Sequence, residues 1–312
     1  MTNGAFGTPD FETPYGAAED DMAPDTPVMR TPGAVLANYR EVLPSLAGRL
    51  LADTGPLARL SASLHLPFYQ EVRVLAGYRT LCSHSLWQDP PVDLGGLPVL
   101  VVGGLSSSPR VLGPMQDWLQ RIGARTLLAP TQYGVACGER SAVAVTDALA
   151  RHVDATGEQA VIVAHSRGGQ FARPVAVRRP ELVRGLITLG SPLTRLLGAH
   201  PLVLLEVLGL GVVGSLGIPG LLRFSCLWGE CCRPLRDDLI GPFPPDVPFV
   251  SVFSRKDEVV PWRTSLDPAA RYREVCTTHG GLIASPVALQ VLAQELALMA
   301  NRSPDTDLTL AA

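Results

Sequence analysis

The chain is nearly devoid of lysine. Of its 26 basic residues only Lys256 is lysine, and the rest are arginine. No GK[ST] phosphate-binding loop is therefore present. A positive surplus is missing too. The formal net charge is −3 and the pI about 6.1, which argues against a protein that grips nucleic acid through a basic face. The opening MTNGAFGTPDFETP has neither a basic nor an apolar leader region, so no secretory signal is expected and the expected location is the cytoplasm. Metal-ligand spacing is absent as well. Cys82, Cys137, Cys226, Cys231, Cys232 and Cys276 form no C-x-x-C pair, and no histidine stands beside them at zinc-ligand spacing. Neither a metal nor a cofactor is expected. The cysteines read as small buried apolar residues of a reducing compartment. The alternative is a local disulfide from Cys226 to Cys231 or Cys232 in an oxidising one.

Apolar residues make up 46% of the 312 and charged residues 18%, enough for one large domain or two small ones with a real core. Glycine and proline together number 58, so turns are frequent and a pure helix bundle is disfavoured. Residues 1–33 read as a disordered acidic tail, because the first thirty hold six acids against one arginine. Residues 34–97 read as an N-terminal segment of two or three amphipathic helices, broken at Pro44, Gly55–Pro56 and Pro67. The main domain spans 98–300, and 301–312 reads as a frayed tail.

From residue 98 apolar runs alternate with helical patterns. Strands are expected over Pro98–Gly104, Arg125–Pro130, Ala160–His165, Gly185–Gly190, Pro248–Ser254 and Tyr272–Cys276. Helices are expected over Pro109–Ile122, Glu139–Ala155, from Arg167, and over Pro286–Ala300 with Ser285 as N-cap. Apolar runs without alternation imply strands buried on both faces. The class is therefore α/β, a mostly parallel sheet of about six strands flanked by helices. Pro174 should kink the helix after Arg167 or limit its regularity.

The strand AVIVAH runs directly into Ser166-Arg167-Gly168-Gly169. A serine at such a strand-to-helix turn presents its hydroxyl at the sheet's C-terminal edge, and the crowded turn needs small neighbours, here Ala164 and Gly168. Serine attacks an ester only if a histidine takes its proton and a carboxylate orients that imidazole. Asp257 follows the strand PFVSVFS, and His279 follows the last strand, so both fall at the same edge as Ser166. Glu258 competes with Asp257. His165 flanks the serine, and its ring is expected to point away into the wall. Oxyanion donors are expected from the Arg167 N–H and from the loop Gly103-Gly104-Leu105-Ser106, with Leu105 first and Gly104 second.

These residues resemble the α/β-hydrolase family, nearest to small bacterial lipases and esterases whose motif also reads A-H-S-x-G-G. The matching pieces are VVGGLSS, AHSRGG, TLGSP, SRKDEVVPW and THGGL. The resemblance implies ester hydrolysis through an acyl-enzyme on Ser166, with a small-molecule ester or lipid substrate. An acyltransferase with the same triad and a non-catalytic binder of apolar ligands are the rival readings.

An insertion, about 193–245, separates TLGSP from the acid strand. Its first half is long and apolar enough to suggest a membrane span, but one crossing would part Ser166 from Asp257. It also contains Gly209-x-Gly211-x-x-Gly214, a superficial dinucleotide fingerprint that Gly217, Pro219 and Gly220 interrupt. The remaining reading is a helical apolar cap over the active site, with Leu204, Leu208 and Val212 facing a medium or long acyl chain. Such a cap also permits peripheral membrane contact.

Overall fold

Unbroken apolar strands need cover on both faces, and the fold supplies it. The computed structural model describes Val74 and residues 77–301, Leu196 excepted. The acidic tail expected over 1–33, most of the helical segment expected over 34–97, and the tail after residue 301 lie outside the described residues. Six strands form one parallel sheet: β1 Pro98–Val102, β2 Arg125–Leu128, β3 Ala160–His165, β4 Val183–Leu189, β5 Phe249–Phe253 and β6 Arg271–Glu274. Their order is β2-β1-β3-β4-β5-β6.

Alternate residues of each strand serve opposite layers. Val99, Val101, Val161, Val163 and Ile187 pack with Trp118 of α1 (Pro109–Arg121). Leu100, Val102, Ile162, Ala164 and Leu186 pack instead with Leu149 of α2 (Gly138–Thr156) and Phe171 of α3 (Gly168–Arg178). The helix α3 continues through Pro174 to Arg178.

The chain leaves β1 for β2 at one edge, then returns past β1 to β3 and advances to β6. The direction of winding therefore reverses between β1 and β3. At such a switch point the loops after the two strands diverge and leave a crevice at the strands' C-terminal ends. Gly103–Ser106 and Ser166 are the residues that border it.

The insertion holds α4 (Pro201–Ser215), α5 (Phe224–Trp228), a 3-10 turn Glu230–Cys232 and α6 (Arg233–Ile240). No helix among the described residues is long and apolar enough to cross a membrane. Gly209, Gly211 and Gly214 sit inside α4 rather than in a loop. Gly211 and Gly214 admit close packing: a Cβ on Gly214 would lie 2.0 Å from the Leu222 carbonyl oxygen, and one on Gly211 would lie 3.3 Å from the Phe224 ring.

Polar side chains secure the two ends of this scaffold. Arg173 of α3 donates from Nε to Asp267 at 2.5 Å and from Nη2 to the Gly241 carbonyl at 2.8 Å, tying the end of α6 to the core. The last helix, α7 (Pro286–Ala300), carries the fully buried Glu295, which pairs with Arg271 and, at 2.6 Å, with Arg273 of the edge strand β6. Ser285 caps α7 by accepting from Ala288 N–H at 3.3 Å.

Candidate active site

Ser166 adopts φ 55°, in the left-handed region. A non-glycine residue held there costs on the order of 1–3 kcal/mol, so the surroundings must enforce it. Ser166 N–H donates to the Leu189 carbonyl of β4 at 2.9 Å. Its small neighbours are required by contact. A Cβ on Gly168 would lie 2.4 Å from the Val102 carbonyl oxygen, and one on Gly169 would lie 2.4 Å from Ser191 Oγ. Ala164 is fully buried and fits beneath the turn.

His279 and Asp257 meet at the same sheet edge. His279 Nδ1 lies 2.7 Å from Asp257 Oδ2, and both side chains are buried. The other carboxylate oxygen, Oδ1, accepts from Val259 N–H at 2.9 Å and Val260 N–H at 2.8 Å. Its orientation is thus fixed from both sides, and a carboxylate facing Nδ1 places the imidazole proton there, leaving Nε2 as the basic nitrogen. Glu258 accepts from the His279 backbone N–H at 3.3 Å instead of from the ring. Gly190 explains how close the pair can come to β4: a Cβ there would lie 2.9 Å from Asp257 Oδ2 and 3.4 Å from His279 Nδ1.

His165 is buried, as expected, yet it does not turn away from the site. Its ring lies 4.6 Å from the His279 ring, centroid to centroid. Its Nε2 is 3.2 Å from the His279 carbonyl oxygen. A carbonyl only accepts, so Nε2 carries the proton. Burial, aided by the neighbouring His279, pushes the His165 pKa well below the ordinary value of 6.5. A neutral imidazole therefore buttresses the segment that bears His279. The sequence signal was its place beside Ser166, but nothing there specified the partner.

The loop after β1 lies against the turn that bears Ser166. A Cβ on Gly104 would be 2.7 Å from Arg167 N and 2.9 Å from Ser166 Cβ. Gly104 N–H is already engaged with Ser107 Oγ at 3.1 Å. Among the hydrogen bonds of the described residues, the N–H groups of Leu105 and Arg167 donate to no protein acceptor. Ser106 holds the loop through N–H to the Tyr133 carbonyl at 2.7 Å and Oγ to Glu206 of α4 at 3.4 Å.

A cavity of about 50 Å³ opens on Ser166, with walls that include Leu105, Val203, Leu204, Val207, Leu227 and Val260. Of the three cap residues expected to face it, Leu204 does so. Leu208 packs into the small cluster around Val207 and Leu222. Val212 is a correction, being 46% exposed. At about 100° per residue, eight residues carry a helix face about 80° around the axis, which takes Val212 off the wall. Val203 and Val207 occupy it instead.

The six cysteines are unbridged, so the alternative of a disulfide from Cys226 to Cys231 or Cys232 does not hold in this structure.

No protein-family model matches the chain, and no curated protein matches it by sequence. Solved structures match in shape. A Bacillus licheniformis lipase in its propeptide form aligns with a TM-score of 0.50 at 16% identity, over 67% of this chain and 52% of that one. A metagenomic carboxyl esterase aligns with a TM-score of 0.49 at 15% identity, over 66% of this chain and 76% of that one. The likeness is one of fold. The six-stranded parallel sheet flanked by helices is an α/β-hydrolase fold.

Proposed function

We propose that the chain is a serine hydrolase that cleaves carboxylic esters through an acyl-enzyme on Ser166. The observation that carries this reading is the hydroxyl-bearing Ser166 at a left-handed strand-to-helix turn, on the sheet edge where Asp257 and His279 pair at 2.7 Å. His279 takes the serine proton through Nε2 and later returns it to the leaving alcohol. Asp257 holds the imidazole in the tautomer that can do so and offsets the charge that develops on it. The Arg167 and Leu105 N–H groups receive the oxyanion. Gly104, the second candidate, is a spacer in this reading, because its N–H is committed to Ser107.

The apolar cavity supports an apolar acyl group. A site for one water takes roughly 10–15 Å³ of such volume, so the cavity of about 50 Å³ suits a short acyl chain as it stands. Medium or long chains require α4 to shift. The outer face of α4 and the turn after it expose Leu205, Val212, Val213, Leu216 and Ile218, which favours a lipid or detergent surface as the setting for that shift.

The test is hydrolysis of p-nitrophenyl esters of graded acyl length, with and without detergent, by wild type and Ser166→Ala. The reading requires turnover by wild type and none above background by the variant. Equal rates would overturn it. Detergent should raise the long-chain rates more than the short-chain ones.

A further inference from the structure

Four cysteines, Cys137 and three from residues 226–232, meet beside the cavity, and nothing in the proposed reaction uses them. Cys137 is the residue before α2. Cys226 lies in α5, and Cys231 and Cys232 end the 3-10 turn that follows. Their Sγ atoms all lie within 4.8 Å of one another. Cys137 Sγ is 3.4 Å from Cys232 Sγ, and Cys231 Sγ is 3.8 Å from Cys232 Sγ. Disulfide sulfurs would be about 2.05 Å apart. Four sulfurs about 2.3 Å from a central zinc ion stand about 3.8 Å apart at the corners of a tetrahedron. We propose that Cys137, Cys226, Cys231 and Cys232 form a tetrathiolate site for one zinc ion, which fastens the cap to the core.

The surroundings fit such a centre. Tetrahedral all-thiolate sets select zinc or iron, and the absence of an open position marks a structural rather than a catalytic ion. Three of the thiols are buried and Cys231 is exposed, which gives the ion a way in. Backbone N–H groups support the sulfurs. Arg223 N–H points at Cys226 Sγ at 3.3 Å, and Cys137 stands at the N-terminus of α2. A helix N-terminus favours thiolate there. Arg167 lines the same cavity as Cys226, which sets a positive charge on the side of the net negative one of a zinc tetrathiolate. Gly138 keeps the approach open, since a Cβ there would lie 2.7 Å from Leu235 and 3.9 Å from Cys232 Sγ. Adjacent cysteines reach one ion because Cys232 leaves the helical region at φ −117°. Binding replaces four S–H bonds by four S–Zn bonds, and the protons go to solvent. Cys226 and Gly138 also line the cavity, so loss of the ion loosens its wall and leaves the Asp257–His279 pair in place.

The test uses the full chain, purified without chelator, assayed for metal, then reduced, stripped and titrated with cobalt(II). The proposal requires about one zinc per chain as purified. It also requires uptake of one cobalt with thiolate-to-cobalt charge transfer and intense tetrahedral visible bands, displaced by zinc. Cys231→Ser, at an exposed position, and Cys226→Ser should weaken cobalt binding by more than the roughly 10–100-fold that loss of an outer supporting group costs. Cys82→Ser and Cys276→Ser should leave it unchanged. A folded, reduced wild type that takes up no cobalt overturns the site. So does a Cys226→Ser/Cys231→Ser double variant that still binds like wild type. Iron at that stoichiometry would overturn the choice of zinc. The spectrum is readable in Ser166→Ala, so the site stands or falls independently of ester hydrolysis.

Discussion

Replacing Asp257 by asparagine should disable the chemistry and spare the fold. In the native protein Oδ1 accepts from Val259 and Val260 N–H, and Oδ2 faces His279 Nδ1 at 2.7 Å. Asparagine can keep the first two bonds only with its carbonyl in the Oδ1 position. Its NH2 group then faces Nδ1, which must accept. The imidazole proton moves to Nε2, the nitrogen that has to take the proton from Ser166. Loss of the correct tautomer costs about 10⁴-fold in kcat in a serine triad, equivalent to roughly 5.4 kcal/mol of transition-state stabilisation. Stability should change less, by about 1–3 kcal/mol, since all three hydrogen bonds persist and only their charge assistance is lost, while a buried charge no longer has to be desolvated. Glu258→Gln is the matched control. Its side chain accepts from the His279 backbone N–H at 3.3 Å and not from the ring, and an amide oxygen can still accept that bond. Its kcat/KM should stay within about tenfold, 1.4 kcal/mol. The assay is p-nitrophenyl ester hydrolysis beside urea unfolding for both variants. An active Asp257→Asn together with an inactive, folded Glu258→Gln would refute the assignment and make Glu258 the acid.

Three further outcomes follow from the packing. Val207→Trp fills the wall facing Ser166 and should shift ester preference toward shorter acyl groups, whereas Val212→Trp on the exposed face should not; equal effects in a chain-length series would contradict the placement of α4. Asp267→Ala strands the buried Arg173 guanidinium, both partners being 4% exposed, and should cost about 3–5 kcal/mol in urea unfolding; a loss below 1 kcal/mol (roughly the worth of a surface pair) would mean water reaches Arg173. His165 resists protonation when folded, so above pH 6.5 it is neutral in both states and neutral to stability. As pH falls through 6.5 the unfolded chain takes a proton the folded one refuses, and stability drops by up to about 1.4 kcal/mol per pH unit. His152, shifted down by burial, adds in the same direction. His165→Gln should flatten the urea-midpoint profile below pH 6.5, and an unchanged slope would show that the ring is accessible to protons.

The interior of the fold was legible because buried parallel strands leave continuous apolar runs. Ala160–His165 and Pro286–Ala300 were readable to the residue, the first from its apolar run and the second from the Ser285 cap and Pro286. The edge strand was not. Expected over Tyr272–Cys276, it runs Arg271–Glu274. Its sequence RYRE carries no apolar run, and Arg271 and Arg273 are held instead by Glu295 of the helix α7. The grouping of Asp257 and His279 could be anticipated because each follows a strand, and parallel strands end on one edge. What distance in sequence hides is lateral contact. Cys137 and Cys232 are 95 residues apart, outside any local spacing rule, and the register of α4 against Ser166 depends on Gly211 and Gly214 packing under Leu222 and Phe224.

The central claim is an activated serine at position 166. Incubation with a fluorophosphonate, followed by intact mass measurement, tests it without knowledge of the natural ester. Wild type should gain one adduct, Ser166→Ala none, and Asp257→Asn should label much more slowly. An adduct that persists on Ser166→Ala, or a folded wild type that stays unlabelled both in buffer and with detergent, would contradict it.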